Sequence, residues 1–241
     1  MNIVIRVLCL AFGYLFGLIQ TAYIYGRCNG IDIRTQGSGN AGTTNALRVL
    51  GKKAGIIVFF GDFFKAFVAC LLARLLAQAI GQPEHVYIFM FYAGLGAVLG
   101  HNFPCYLNFK GGKGIASTAG FVVGLLEWKL IIPCFFIFVI VVAISRYVSL
   151  GSLVVVSSVF VLYVIYGQLD MLVWGNNFSD AILYESYAIL FCFVALAFYR
   201  HKENIVRLVK GEEHKLWGSK KASTSTNEED NSVEDKNTDQ K

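Results

Sequence analysis

Charge is scarce in this sequence. Only 15% of its 241 residues are Asp, Glu, Lys or Arg, against 56% hydrophobic and a mean hydropathy of +0.56. A soluble domain of this length needs far more charge to cover its surface, so that class is excluded. Paired metal or disulfide cysteines are missing too. Cys9, Cys28, Cys70, Cys105, Cys134 and Cys192 are scattered, with no CxxC pair or Cys/His spacing, and read as small apolar residues rather than metal ligands. The first apolar run ends without a small-residue cleavage site, which argues against a signal peptide and for a retained helix.

What is there is a series of apolar runs, several near the roughly 20 residues that cross a bilayer as a helix. Seven candidate spans are expected, at 3–26, 54–79, 86–100, 115–126, 129–145, 148–167 and 182–199, the third and fourth being short. The fold class is therefore an all-α integral membrane protein, a polytopic bundle of about seven helices, occupying 1–217 as one domain. Residues 218–241 are polar and mixed in charge and are expected to be disordered.

Lys and Arg are unevenly shared between the connections. Arg27, Arg34, Arg48, Lys52, Lys53, Lys110, Lys113, Arg146 and the basic residues from Arg200 onwards fall on one face of a seven-span chain. The loops around Pro83, Glu127 and Asn176 have almost none besides Lys129. The positive-inside rule then makes the basic face cytoplasmic, with the N-terminus outside and the C-terminus inside. Topology accounts for the net charge of +5, and nucleic acid is not an expected partner.

The same face receives three polar stretches. In GSGNAGTTNALRVLG, Gly37, Gly39 and Gly42 allow backbone amides to approach a ligand. Ser38, Asn40, Thr43, Thr44 and Asn45 add short polar groups, and Arg48 adds a cationic fork suited to phosphate. In GHNFPCYLNFKGGKGIASTAG, the loop Gly111, Gly112, Lys113, Gly114 precedes a helix start but lacks Walker A spacing. In HKENIVRLVKGEEHK, His201, Asn204 and Arg207 recur every three residues on one helical surface, with His201 a candidate base or donor. Ordinary interhelical loops, a basic hinge on anionic lipid and a juxtamembrane basic helix are the plainer readings of the three. Within the second span, Asp62 and Lys65 lie three apart, so they pair with each other or face a polar groove. A solute transporter would also suit such intramembrane charge, although no inverted repeat is visible. A membrane phosphatase would need a metal-carboxylate cluster or a nucleophile that the sequence does not offer.

Taken together, the three stretches resemble the PlsY-type acyl-phosphate:glycerol-3-phosphate acyltransferase family, whose patterns are close to GSGNxGATNxxRxxG, GHxFPxxxxFKGGKGxAT and HxxNIxRLxxGxExK. Thr43, Ser117 and Ala66 depart from the family's usual Ala, Thr and Gly. The resemblance implies acyl transfer from acyl phosphate to the 1-hydroxyl of glycerol 3-phosphate in a bacterial inner membrane, with no cofactor and no metal. It implies roles at the reacting centre for Ser38, Arg48, His201 and Asn204, and phosphate binding for the first glycine-rich stretch, Lys65 and the Gly111–Gly114 loop. Membrane lipid and a source of acyl phosphate, either a partner enzyme or a soluble pool, are the implied partners. None of the four histidines has an aspartate five residues on, so the HxxxxD arrangement of other acyltransferases is missing. No Ser–His–Asp or Cys–His set stands in for it. An activated donor makes an acyl-enzyme unnecessary, and direct attack is expected.

Overall fold

In hydrocarbon every backbone N–H and C=O must be satisfied within the segment, which turns long apolar runs into helices. The computed structural model describes residues 2–172 and 179–217; the predicted disordered tail and the loop around Asn176 lie outside them. Among the described residues the regular structure is entirely helical. The helices are α1 (Asn2–Gly17), α2 (Thr21–Cys28), α3 (Thr43–Leu50), α4 (Lys52–Ala79), α5 (Val86–Asn102), α6 (Ile115–Gly124), α7 (Trp128–Ser145), α8 (Val148–Gln168), α9 (Asp180–Arg200) and α10 (Lys202–Val209). Six segments among the described residues are long and apolar enough to cross a membrane, the broken α1–α2 pair counting as one. The chain is an integral membrane protein.

Two expected spans differ in form. The first breaks after Gly17, where the side-chain amide of Gln20, fully buried, donates to the carbonyls of Gly17, Gly100 and His101 at 3.1–3.2 Å. Unwound backbone is tolerated there because protein, not lipid, surrounds it. The fourth is a helix of only 10 residues, about 15 Å long at 1.5 Å per residue and so half of a hydrocarbon layer. It runs parallel to α4, with Ser117 Oγ donating to the carbonyl of Asp62 at 3.0 Å and Gly120 against Phe63. A Cβ on Gly120 would come 2.0 Å from the Phe63 carbonyl oxygen, so the close approach requires glycine. Because Asp62 lies about 15 Å along α4 from Lys52, the start of α6 sits well inside the bundle.

Small residues also seat α1 on α5. Gly13 and Gly17 of α1, and Gly96 and Gly100 of α5, each abut backbone of the other helix so closely that a Cβ would fall 2.0–2.3 Å from a carbonyl oxygen. These are two GxxxG spacings, which let transmembrane helices approach until their backbones touch. This pair carries the C-terminal end of α5, and with it His101, to the centre of the basic face. A core around Phe89, Phe91, Phe121 and Tyr163 fills the other half of the bundle.

Candidate active site

Between the ends of α3, α6, α8 and α10 lies a cavity of about 300 Å³. From the first polar stretch it is lined by Ser38, Asn40, Gly42, Thr43, Thr44, Asn45 and Arg48; from the second by His101, Lys113 and Gly114; and from the third by His201, Asn204, Arg207, Glu213 and His214. Leu47, Phe59, Phe138, Val148 and Leu216 form apolar parts of the wall. Three stretches separated by about fifty and about eighty residues thus share one space.

The first stretch is folded around a buried amide. Asn45 Oδ1 accepts from the Ser38 amide at 2.9 Å, and its Nδ2 donates to the Ile33 and Gln36 carbonyls at 3.1 and 3.0 Å. A Cβ on Gly37, which has φ +60°, would lie 2.3 Å from that Oδ1. Asn45 and Gly37 therefore shape the loop and present Ser38, with the amide of Asn45 already engaged. Thr43 and Thr44 open α3, whose first amides lack intrahelical acceptors and face the cavity end. Ile115 and Ala116 open α6 on the same cavity. Two helix N-termini thus direct partial positive charge at one place. Arg48, exposed, has no partner among the described residues.

The second stretch is tied inward. The amides of Gly111 and Gly112 donate to the Asn102 and His101 carbonyls at 3.2 and 3.1 Å, so they are spent on the loop's own shape. Their carbonyls accept from Arg200, at 2.8 and 3.0 Å respectively, and Arg200 also lies over the Phe103 ring. Gly111 and Gly112 position the loop, and Lys113 and Gly114 are its members at the cavity. Burial pulls the Lys113 ammonium down from its ordinary value to about 8, with Glu213 opposing that shift. Lys113 Nζ donates to Asn204 Oδ1.

The third stretch continues this chain of contacts. Asn204 Nδ2 donates to Glu213 Oε1 at 2.9 Å, and Arg207 Nε donates to Glu213 Oε2 at 3.0 Å. The segment after α10 is drawn across the cavity and held by the Leu216 amide donating to the Arg146 carbonyl at 2.8 Å. His201 is 3% exposed and its Nδ1 donates to the Ala197 carbonyl at 2.7 Å. Burial, with the Lys113 charge nearby, lowers its pKa to about 4. At neutral pH His201 is uncharged, and its free nitrogen, Nε2, is an acceptor.

Asp62 and Lys65 do both things the sequence allowed. They pair at 2.8 Å, being 1% and 5% exposed, and Asp62 lines the cavity floor while Lys65 lies beneath it. Sequence reasoning missed His101, Arg200 and Ser149. The first two stand inside or beside the quoted stretches. Ser149, at the start of a span, gave no signal; its buried hydroxyl lines the cavity without a hydrogen-bond partner among the described residues.

The sequence matches the family model for glycerol-3-phosphate acyltransferase over residues 7–211. The chain belongs to the glycerol-3-phosphate acyltransferase family, of the PlsY type. Membership makes it an acyltransferase. Among its relatives, the glycerol-3-phosphate acyltransferase of Clostridioides difficile (strain 630) is 39% identical over 211 residues, spanning 86% of this chain and 93% of the relative. Glycerol-3-phosphate acyltransferase 2 of Moorella thermoacetica is 42% identical over 212 residues, 87% of this chain and 96% of the relative. The crystal structure of PlsY (YgiH), an integral membrane glycerol 3-phosphate acyltransferase, in its glycerol 3-phosphate form superposes with a TM-score of 0.73 at 33% identity. That match covers 88% of this chain and 96% of PlsY. Its lysophosphatidic acid form gives a TM-score of 0.70 at 33% identity, over 87% and 94%.

Proposed function

We propose that this acyltransferase moves a fatty acyl group from acyl phosphate to the 1-hydroxyl of glycerol 3-phosphate, at the cytoplasmic face of a bacterial inner membrane. The observation that carries the reading is the meeting of Arg48, Lys113, Arg207 and two helix N-termini around one cavity with apolar walls. Such a space suits two phosphates and one alkyl chain. The glycerol hydroxyl oxygen attacks the acyl carbonyl carbon, the carbonyl–phosphate C–O bond breaks, and inorganic phosphate leaves with the bonding pair and the hydroxyl proton. Products are lysophosphatidic acid and phosphate.

Ser38, Arg48 and the start of α3 are assigned to the donor phosphate and the reacting carbonyl. Lys113, Asn204 and Arg207 are assigned to glycerol 3-phosphate. His201, neutral and buried, accepts a hydrogen bond from the attacking hydroxyl through Nε2. A base with a pKa of about 4 is too weak to take the proton outright at neutral pH, and the leaving phosphate beside it is the better acceptor. Positioning and electrostatic stabilisation supply the rate. The test is lysophosphatidic acid formation by purified protein offered acyl phosphate, acyl-CoA or acyl carrier protein with glycerol 3-phosphate. Product from acyl phosphate alone is expected; equal product from acyl-CoA would overturn the donor assignment.

A further inference from the structure

Lys65 is a buried ammonium with three hydrogens and three acceptors. Its Nζ lies 2.7 Å from the Ile19 carbonyl, 2.8 Å from Asp62 Oδ1 and 2.8 Å from His101 Nδ1. The Ile19 carbonyl is available only because the first span is broken there. An ammonium has no lone pair, so at that distance His101 Nδ1 must be the acceptor. A second N–H on Nδ1 would point hydrogen against hydrogen. Asp62 Oδ1 lies 3.5 Å from Nδ1, well beyond the 2.8 Å of Lys65 Nζ, which makes Lys65 the nearer partner of that nitrogen. The imidazole is therefore neutral, and its single proton sits on Nε2.

Nε2 has no protein partner among the described residues. It stands where the first two polar stretches meet: a Cβ placed on Gly112 would come 2.0 Å from Nε2 and 2.8 Å from the Ala41 carbonyl oxygen. His101 is 3% exposed and lines the cavity, between Lys113 and Gly114 on one side and the start of α3 on the other. Three features agree on one outcome. A buried charge fixes the tautomer, a glycine clears the space in front of the ring, and Lys113 and the start of α3 add a cation and backbone donors to the cavity on either side.

We propose that His101 is a substrate-contacting residue whose Nε2–H, fixed by Lys65, donates to a phosphate oxygen of the bound substrate. Asp62 acts behind it by holding the Lys65 ammonium in charge balance, which makes Asp62 and Lys65 positioning residues rather than phosphate ligands. The inference rests on the reading that the cavity takes phosphate, and it leaves open which of the two phosphates His101 meets.

Two conservative variants separate this role from a structural one. Asn places its oxygen near the position of Nδ1 and keeps the acceptor for Lys65, but offers nothing to the cavity. Gln places its amide nitrogen near Nε2 and keeps the donor. His101→Asn should raise the KM of the substrate contacted roughly tenfold to a hundredfold, the worth of one hydrogen bond to a charged group, while His101→Gln stays within about threefold of wild type. The KM values for acyl phosphate and for glycerol 3-phosphate, measured separately, show which phosphate is held. If the Asn variant matches wild type and the Gln variant is the damaged one, His101 only satisfies Lys65 and the proposal is wrong. Nitrogen NMR of histidine-labelled wild-type protein gives an answer that needs no turnover. Nδ1 of His101 should appear unprotonated, and inorganic phosphate should shift Nε2–H. A protonated Nδ1, or no response to phosphate, overturns the proposal. Wild-type protein without acyl transfer activity would sink the functional reading while this titration still decides the role of His101.

Discussion

At position 112 one methyl group would undo the site. A Cβ there would overlap the His101 imidazole and crowd the Ala41 carbonyl, and the loop is already fixed by Arg200 on its other side. Overpacking of this kind costs about 1–3 kcal/mol. Gly112→Ala should therefore lower kcat/KM by tenfold or more with a smaller loss of thermal stability; unchanged kinetics would show that the loop can yield. The ionisable groups make predictions of their own. Lys113 loses its charge near pH 8, so kcat/KM for glycerol 3-phosphate should fall above that pH, while a Lys113→Arg enzyme should keep its activity to higher pH. His201 is held neutral in the fold, with its pKa lowered from 6.5 to about 4. The unfolded chain takes up that proton first, so this residue costs nothing above pH 6.5 and costs stability progressively as pH falls towards 4. Thermal unfolding of wild type against His201→Gln across that window checks the sign. His201→Gln should also retain near-full turnover if the leaving phosphate takes the proton. At this scale the sequence was informative where chemistry is local: glycine density, the cations and the Asp62–Lys65 spacing were all readable. The use of each group was not. Asn45 looked like a ligand-binding residue, yet its side-chain amide braces the loop, because its hydrogen-bond partners lie seven to twelve residues back and are brought near by the turns at Gly37 and Gly39. Tautomers and spent amides are likewise set by partners from other helices.

Among the helices, α6 decides where the site lies in depth. Its short length was legible as a short apolar run, yet nothing in the run says that it starts beside Asp62, ten residues into α4. That follows from Gly120 and Gly124 meeting Phe63 and Cys70, a contact between segments more than fifty residues apart. Gly120→Ala should push α6 off α4 and carry Lys113 with it, so activity and melting temperature should both fall. A variant that kept activity at normal stability would show that the depth of α6 does not matter. The break between α1 and α2 was hidden for a related reason. Residues 3–26 have the composition of one continuous helix, and the buried Gln20, whose amide nitrogen donates to carbonyls of α5, holds the interruption in place.

The whole molecule is a bundle whose polar chemistry is gathered at one end and whose other end is nearly bare of Lys and Arg. In the topology proposed from the charge asymmetry of the sequence, that end faces the cytoplasm. Cys28 and Cys105 are exposed at the polar end, so a membrane-impermeant thiol reagent should leave both unmodified in intact cells and react once the membrane is opened. Modification from outside would invert the topology. About seven spans were expected, and the described residues hold six segments long and apolar enough to cross a membrane and one shorter apolar helix, Ile115–Gly124. The central claim is that this one cavity brings an acyl phosphate and glycerol 3-phosphate together for direct transfer. Phosphate release measured in a single turnover, with and without glycerol 3-phosphate, tests it most directly. The account predicts release only when both substrates are present, matched one to one by lysophosphatidic acid. A burst of phosphate from acyl phosphate alone, equal to the enzyme and leaving the acyl group on the protein, would contradict it.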